Sequence, residues 1–334
     1  MAKGLDVGTS FVVLARDAED GAVAYKDFRD AFYTIKPSSP VAQKMIEKGL
    51  TGKTFVKDAD GTFILLGQDA IEKAVERNDS AKRPMHRGVV SAKEKDAKRI
   101  LAYILKEVAG QASEPGEKLV FCIPAQPVDQ EDEDFDVGYH EDVVKSILAE
   151  CGYEARAINE AEALCYSELE RDDYTGVALS CGAGMVNCCV MLNGEPTVMF
   201  STTKSGDWVD RMAAVATTEP DSVVQVEKEH GDFTIGQPTD NVILAAVSSY
   251  YERLIDYTTK QLAAAMTGHK LLPKFKSPLP VVIAGGTSQA RGFVELFRAK
   301  LDENSFPLPV SEVRHAKDAL HAVARGCLVA AKVL

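Results

Sequence analysis

At 334 residues the chain is longer than a single hydrophobic core usually supports, so two lobes of ordinary size are expected. Its 46% apolar and 26% charged residues exclude a disordered or fibrous chain, and a formal charge of −12 without any Lys/Arg block excludes a surface built to neutralise nucleic-acid phosphates. The seven cysteines (Cys122, Cys151, Cys165, Cys181, Cys188, Cys189, Cys327) are odd in number, lack zinc spacing and mostly lie in apolar runs, which reads as small core residues in a reducing compartment.

The first residues, Met-Ala-Lys-Gly-Leu-Asp, run into a strand pattern without a signal peptide, an amphipathic anchor or an apolar stretch of about 18 residues, and a cytoplasmic protein is expected. Gly4 to Arg16 reads as two strands around Gly8-Thr9-Ser10, and Ala22 to Lys36 continues strand-like to Pro37, giving a β-meander. Ser38 to Arg87 is irregular and charged, as in a small accessory subdomain. Ser91 and Glu94 have capping-box spacing, and Ala97, Ile100, Leu101, Ile104, Leu105 and Val108 then share one helical face before Gly110. Lys118 to Ile123 is a buried strand stopped by Pro124. The acidic run Gln130 to Asp142 lacks the glycine and spacing of a calcium loop and is read as a solvated insertion, followed by a helix through Glu150 closed at Gly152.

Residues 175 to 203 repeat the opening theme: a strand, a turn at Gly182-Ala183-Gly184, a second strand, an Asn193-Gly194 hairpin turn and a third strand. Two meanders in one chain predict two related lobes. A helix from Asn241 to Met266, a strand from Pro280 to Ala284, a Gly285-Gly286 turn, and helices through Phe297 and from Ala316 onward complete an α/β alternation. In Asp6-Val7-Gly8-Thr9-Ser10, an acid at a strand end precedes a turn whose N–H groups and hydroxyls could cradle a phosphate, although a plain hairpin would look the same.

The order of five elements resolves that ambiguity. Gly4 to Ser10, Ser180-Cys181-Gly182-Ala183-Gly184-Met185, Val281 to Gly292, Glu160-Ala161-Glu162-Ala163 and Ala319 to Ala331 resemble the two phosphate motifs, the adenosine motif and the two interlobe connecting helices of the actin/Hsp70/sugar-kinase superfamily. Arg83-Pro84-Met85-His86-Arg87-Gly88-Val89-Val90 is similar to the Arg-Pro-x-x-x-Gly-Val-Ile signature of MreB-like proteins, and MreB/MamK-type prokaryotic actins are the members most resembled.

The resemblance implies an actin-like fold with two lobes, each an RNase H-like meander plus helices, and nucleotide in the cleft between them. It divides the chain into subdomains IA (1–30, 88–157, 317–334), IB (31–87), IIA (158–210, 241–316) and a shortened IIB (211–240). It implies ATP/ADP and Mg²⁺ as ligands. Asp6 would organise the metal through water, while Gly8, Thr9 and Ser10 with Gly182, Ala183 and Gly184 would hold the β- and γ-phosphates. Gly206, Asp207 and Asp210 match a Gly-Asp-x-x-Asp segment, Glu227 and Lys228 fall near the ribose position, and Gly285, Gly286, Thr287 and Ser288 would face the adenine and α-phosphate side. Glu141, or else His140, occupies the neighbourhood of the residue that positions the attacking water. Trp208 would either cover the nucleotide or fill a core gap.

The second phosphate motif departs from the family pattern, with Ser180 and Met185 where aspartate and threonine are usual. Loss of that carboxylate predicts a slow ATPase, and Ser180→Asp would be expected to raise phosphate release. The expected protein is a cytoskeletal ATPase whose partner is itself in a homopolymer filament, without nucleic acid and without an evident membrane anchor; adaptor proteins are not specified. The alternative is a non-polymerising, nucleotide-dependent assembly factor or binding module with weak or lost hydrolysis. A sugar kinase is disfavoured because no second substrate insertion is visible.

Overall fold

Two strand-and-turn patterns fold into two sheets of the same plan. The computed structural model describes residues 2–130, 135–268 and 277–333. In chain order, β1 (Lys3–Val7), β2 (Phe11–Asp17) and β3 (Val23–Arg29) form the first meander. An accessory unit follows: β4 (Phe32–Ile35), α1 (Pro40–Gly49), β5 (Phe55–Lys57), β6 (Phe63–Leu66) and α2 (Gly67–Glu76), with strand order β4-β6-β5. A small hairpin, β7 (Met85–His86) and β8 (Val89–Val90), leads to α3 (Ala97–Ala109), β9 (Glu117–Ile123), α4 (Val137–Glu150) and β10 (Tyr153–Asn159). The first sheet runs β10-β9-β1-β2-β3, with β9 parallel to both of its neighbours.

Helix α5 (Glu160–Glu168) then opens the second lobe. Its meander is β11 (Gly176–Cys181), β12 (Val186–Leu192) and β13 (Glu195–Thr202), followed by α6 (Gly206–Thr217), α7 (Asp221–His230) and α8 (Val242–Gly268). The chain finishes with β14 (Leu279–Ala284), α9 (Phe293–Glu303), β15 (Val310–His315) and α10 (Ala322–Val333). The second sheet, β13-β12-β11-β14-β15, repeats the first in order and sense. Strands β11 and β14 are buried along their whole length, because helices cover both faces.

Helices α3 and α4 pack on the outer face of the first sheet through Ile100, Leu101, Ile104, Val144 and Leu148, and α8 and α9 cover the outer face of the second. Between the sheets lie α5 and α10, which approach backbone to backbone. A Cβ on Gly326 would sit 1.7 Å from the Ala163 carbonyl oxygen, and one on Gly4 would sit 2.3 Å from the Ala324 oxygen. The two helices that join the lobes are therefore in direct main-chain contact.

Several sequence expectations are corrected locally. The Ser91/Glu94 capping box does not form: α3 starts at Ala97 behind Asp96, and Glu94 pairs instead with Lys82 at 3.0 Å. The last helix starts at Ala322, later than Ala316, because residues 317–321 form a turn held by Asp318. The irregular stretch 38–87 holds ordered strands and two helices, whose short apolar runs close a small core around Ile35, Leu50 and Phe63. Residues 131–134 of the acidic run lie outside the described residues.

Candidate functional site

A cavity of about 490 Å³ lies where the first hairpins of the two sheets face one another, a size typical of small-molecule sites. Its walls include Asp6, Gly8, Thr9 and Ser10 from one lobe and Ser180, Gly182 and Ala183 from the other, with Gly285, Gly286 and Thr287 alongside. The two hairpin turns are built alike. Gly8 N–H donates to the Phe11 carbonyl at 3.0 Å, and Gly182 N–H donates to the Met185 carbonyl at 2.9 Å.

The turns are braced differently. Thr9 Oγ1 accepts from Gly88 N–H at 2.9 Å, and Ser10 O accepts from Asp30 N–H at 3.0 Å. On the other side, Ala183 O accepts from Asp207 N–H at 2.8 Å and from the Ser205 hydroxyl, and Thr287 Oγ1 donates to Gly182 O at 2.8 Å. Gly184 and Gly206 do not line the cavity. Gly184 lets the lobes touch: a Cβ there would lie 2.3 Å from Thr9 Oγ1 and 3.0 Å from the Gly88 nitrogen. Gly206 makes room for Thr287 Oγ1, 2.4 Å from where its Cβ would be. Ser288 lies behind the wall, its hydroxyl donating to Gly285 O at 2.8 Å.

Two carboxyl groups meet on the cavity floor. Asp6 is raised to about 6 by burial, against the opposing effects of a hydrogen bond from Cys122 and of His321. Glu160 is raised to about 8, first by burial and then by Asp6, and opposed by its bond from Ser180. Ser180 Oγ donates to Glu160 Oε1 at 2.5 Å, and Asn187 Nδ2 donates to Oε2 at 2.8 Å. The other end of the Asn187 amide accepts from Ala125 N–H at 2.9 Å, so the side chain is matched at both ends.

Glu160 was not singled out as a site residue from the sequence. It opens α5 directly after β10, where Asn159 and Glu162 form a complete capping box, and this strand-end-to-helix junction delivers its carboxyl to the cleft. The signal lies in Asn159 directly before Glu160-Ala161-Glu162-Ala163, the segment that resembles a connecting helix.

His140 and Glu141 are not among the residues that line the cavity. They sit in the first turns of α4, which packs on α3 and β10 on the outer face of the sheet. His140 is fully buried, neither ring nitrogen has a hydrogen-bond partner among the described residues, and burial pushes it down to about 4, so it is a neutral core residue. Of the ribose pair, Lys228 lines the cavity but is bound to Asp210 at 2.8 Å, while Glu227 is engaged with Asn241. Trp208 packs edge-on against Tyr250 and does not line the cavity.

The lobes are bridged around the cavity. Arg83 donates to both oxygens of Asp207 at 3.0 and 3.1 Å, and Arg29 lies 3.9 Å from Glu229 across the mouth. Below, Val128 N–H donates to Ser201 O at 2.9 Å, and Asp129 accepts from Thr203 N–H at 2.8 Å and from the Tyr257 hydroxyl at 3.0 Å. At the far wall, His321 is clasped between Asp318 (2.6 Å) and Asp27 (3.0 Å) and stacks on Tyr25.

Twin sheets of one plan, joined by α5 and α10 and closing two glycine turns on one cavity, have the fold of the actin-like proteins MamK and MreB. The volactin family model matches residues 1–331, and the chain belongs to that family. No curated protein sequence matches it. Among solved structures, a MamK double-helical filament aligns at 18% identity over 100% of this chain and 99% of that one, with a TM-score of 0.72. MreB5 of Spiroplasma citri bound to AMPPNP aligns at 14% identity over 99% and 96%, with a TM-score of 0.67. The ethanolamine utilization protein EutJ of Carboxydothermus hydrogenoformans aligns at 16% over 98% and 88%, with a TM-score of 0.53. At these identities the likeness establishes the fold. No helix among the described residues is long and apolar enough to cross a membrane.

Proposed function

We propose that the chain is an ATP-binding cytoskeletal protein that assembles with copies of itself into filaments and turns its nucleotide over slowly. The observation that carries this reading is the facing pair of glycine turns, with Asp6 and Glu160 between them at one cavity. Turn N–H groups suit phosphate oxygens, and the cavity floor offers a pair of carboxyl groups, Asp6 and Glu160, rather than a larger cluster of oxygen donors. No group of three metal-ligating side chains occurs among the described residues. That donor set fits Mg²⁺, which keeps most of its water and leans on phosphates, with Asp6 holding the hydration shell. When bound, the ion neutralises phosphate charge.

The chain's own residues would do the rest. Gly8 to Ser10 and Gly182 to Ala183 hold the phosphates in line, and Lys228, Gly285 and Gly286 flank the nucleoside. Glu160, not Glu141, receives a hydrogen bond from the water behind the terminal phosphate. Ser180 and Asn187 each occupy one lone pair of its oxygens and leave the others free. Positioning and charge neutralisation carry most of phosphoryl transfer, so a fixed carboxylate and a closed cleft are the parts required. Cytoplasmic residence and subdomains bounded as the resemblance implies belong to the same proposal.

Sedimentation and electron microscopy in ATP, ADP and no nucleotide test it. ATP-dependent pelleting as filaments is the expected result, and a persistent monomer at high concentration would reject polymerisation. The second reading, a non-polymerising nucleotide-dependent binding module, draws on residues 211–240, where helix α7 and a loop stand without a sheet of their own.

A further inference from the structure

Strand β1 pairs with β9 only as far as Leu5 opposite Phe121, and beyond that point the two strands part so that the chain can turn at Gly8. The Val7 N–H that leaves the ladder there goes to a side chain: the Cys122 sulfur accepts it at 3.3 Å. The same thiol donates its hydrogen to Asp6 Oδ1 at 3.0 Å. Cys122 is 1% exposed. Its neighbour Cys327 belongs to α10, which lies against the backbone of β1 at Gly4.

We propose that Cys122 is the positioning residue of Asp6: its one S–H fixes the plane of the carboxylate, occupies Oδ1 and presents Oδ2 to the hydrated cation and the phosphates. The assignment rests on the nucleotide reading above. It also revises the expectation that the cysteines serve only as small core residues, because Cys122 is the one whose sulfur bridges a broken strand ladder to a cavity carboxylate. A thiol suits this place for two reasons. Its long C–S bond reaches both an N–H on the next strand and the Asp6 oxygen from one rotamer. Being a weak donor, it orients the carboxylate without competing strongly with water for it. No hydrogen bond among the described residues engages Oδ2, and Cys327, the other group within reach of the thiol, offers a sulfur, a weaker acceptor than a carboxylate oxygen.

The test is calorimetric titration of the full chain with ADP, once with MgCl₂ and once with EDTA. Wild type should bind more tightly with magnesium. Cys122→Ala should lose about tenfold of the magnesium-dependent gain, while its affinity in EDTA stays within about twofold, and Cys122→Ser should recover most of the loss. Infrared difference spectra should also show one S–H band that moves when Mg·ADP is added to wild type and is absent from Cys122→Ser. A core-filling role predicts something else: Cys122→Ala would lower the melting temperature and weaken ADP equally with and without magnesium, and that equal loss would overturn the assignment. If Cys122→Ala does not fold, Cys122→Val fills the volume without a donor and carries the same comparison. Wild type that binds no ADP under either condition would remove the nucleotide reading and this assignment together, an outcome distinct from a variant whose magnesium dependence is unchanged.

Discussion

The two lobes place the same pair of positions at or beside the cavity and fill them with different chemistry. In the first sheet Asp6 on β1 stands opposite Val13 on β2, and in the second Ser180 on β11 stands opposite Asn187 on β12. One lobe therefore supplies its own carboxylate. The other supplies two neutral donors that grip a carboxylate borrowed from the connecting helix. The strand-end position of the second lobe thus holds no acid, yet the cavity floor still carries two carboxyl groups, Asp6 and Glu160.

The most direct way to break this comparison is at Glu160. Glu160→Ala should reduce phosphate release by about 10²-fold or more while leaving nucleotide binding nearly intact, because it removes a group needed only when the water attacks. Ser180→Asp should not raise the rate, contrary to what the sequence suggests. An aspartate there would place a third carboxyl group where Ser180 Oγ now lies 2.5 Å from Glu160 Oε1, remove the hydroxyl that favours the ionised form, push Glu160 still further toward its protonated form and slow the reaction. Single-turnover phosphate release on both variants checks the pair; a faster Ser180→Asp would show that the two lobes want matching acids after all.

The next largest effect concerns the joint between the lobes. Gly326→Ala would press a methyl group into the Ala163 carbonyl, 1.7 Å from the ideal Cβ. It should destabilise the protein at the upper end of the about 1–3 kcal/mol typical of overpacking. Calorimetric melting reads this directly. An unchanged melting temperature would mean that α5 and α10 are not held at this distance.

A third difference lies beneath the turns. Each turn accepts from the N–H of an aspartate, Asp207 in the second and Asp30 in the first, but the Asp207 carboxylate is paired with Arg83, whereas Asp30 is 1% exposed and its carboxyl oxygens have no hydrogen-bond partner among the described residues. Burial pushes Asp30 up to about 8, against the pull of Arg83 and the Met85 backbone. Because its folded value is raised, the folded state holds the proton more tightly than the unfolded chain does. Stability from this group is full below about pH 4 and is lost as pH rises toward 8, with a slope approaching about 1.4 kcal/mol per pH unit. Asp30→Asn should flatten that part of the curve and stabilise the protein at pH 8, as urea unfolding across pH would show.

Most of the architecture was legible because it is written in local chemistry. The glycines at 8, 182 and 285, the Asn193-Gly194 turn and the apolar strands around them mark twin sheets without help from tertiary context. The turn residues that line the cavity were legible for the same reason. Glu160 was not, because a glutamate opening a helix is indistinguishable in sequence from one favoured by the helix dipole, and only the distances to Ser180 and Asn187 separate the two. The same ambiguity explains Glu141, a first-turn acid on a helix that packs on the far side of the sheet. Ser91 and Glu94 had the right spacing, but the chain from 92 to 96 turns before the helix begins.

The smallest expected effect tests whether the lobes are held shut by their own contacts or wait for a ligand. Arg83 and Asp207 are each about a third exposed, with side-chain exposures of 28% and 34%, and a single guanidinium nitrogen spans both carboxylate oxygens, so solvent screens the pair and its worth is about 1 kcal/mol. Arg83→Ala and Asp207→Ala should each weaken nucleotide binding about fivefold, and the double variant should lose little more than either alone. Salt should reduce wild-type affinity toward that of the variants. Additive losses in the double variant would mean that the two residues act separately, Arg83 through the neighbouring Asp30 and Asp207 through its carboxylate at the cavity wall. The lobes would then be closed by the main-chain pairing of residues 126–128 with Ser201 and by the packing of Gly184 on Thr9, contacts that no charge substitution can open.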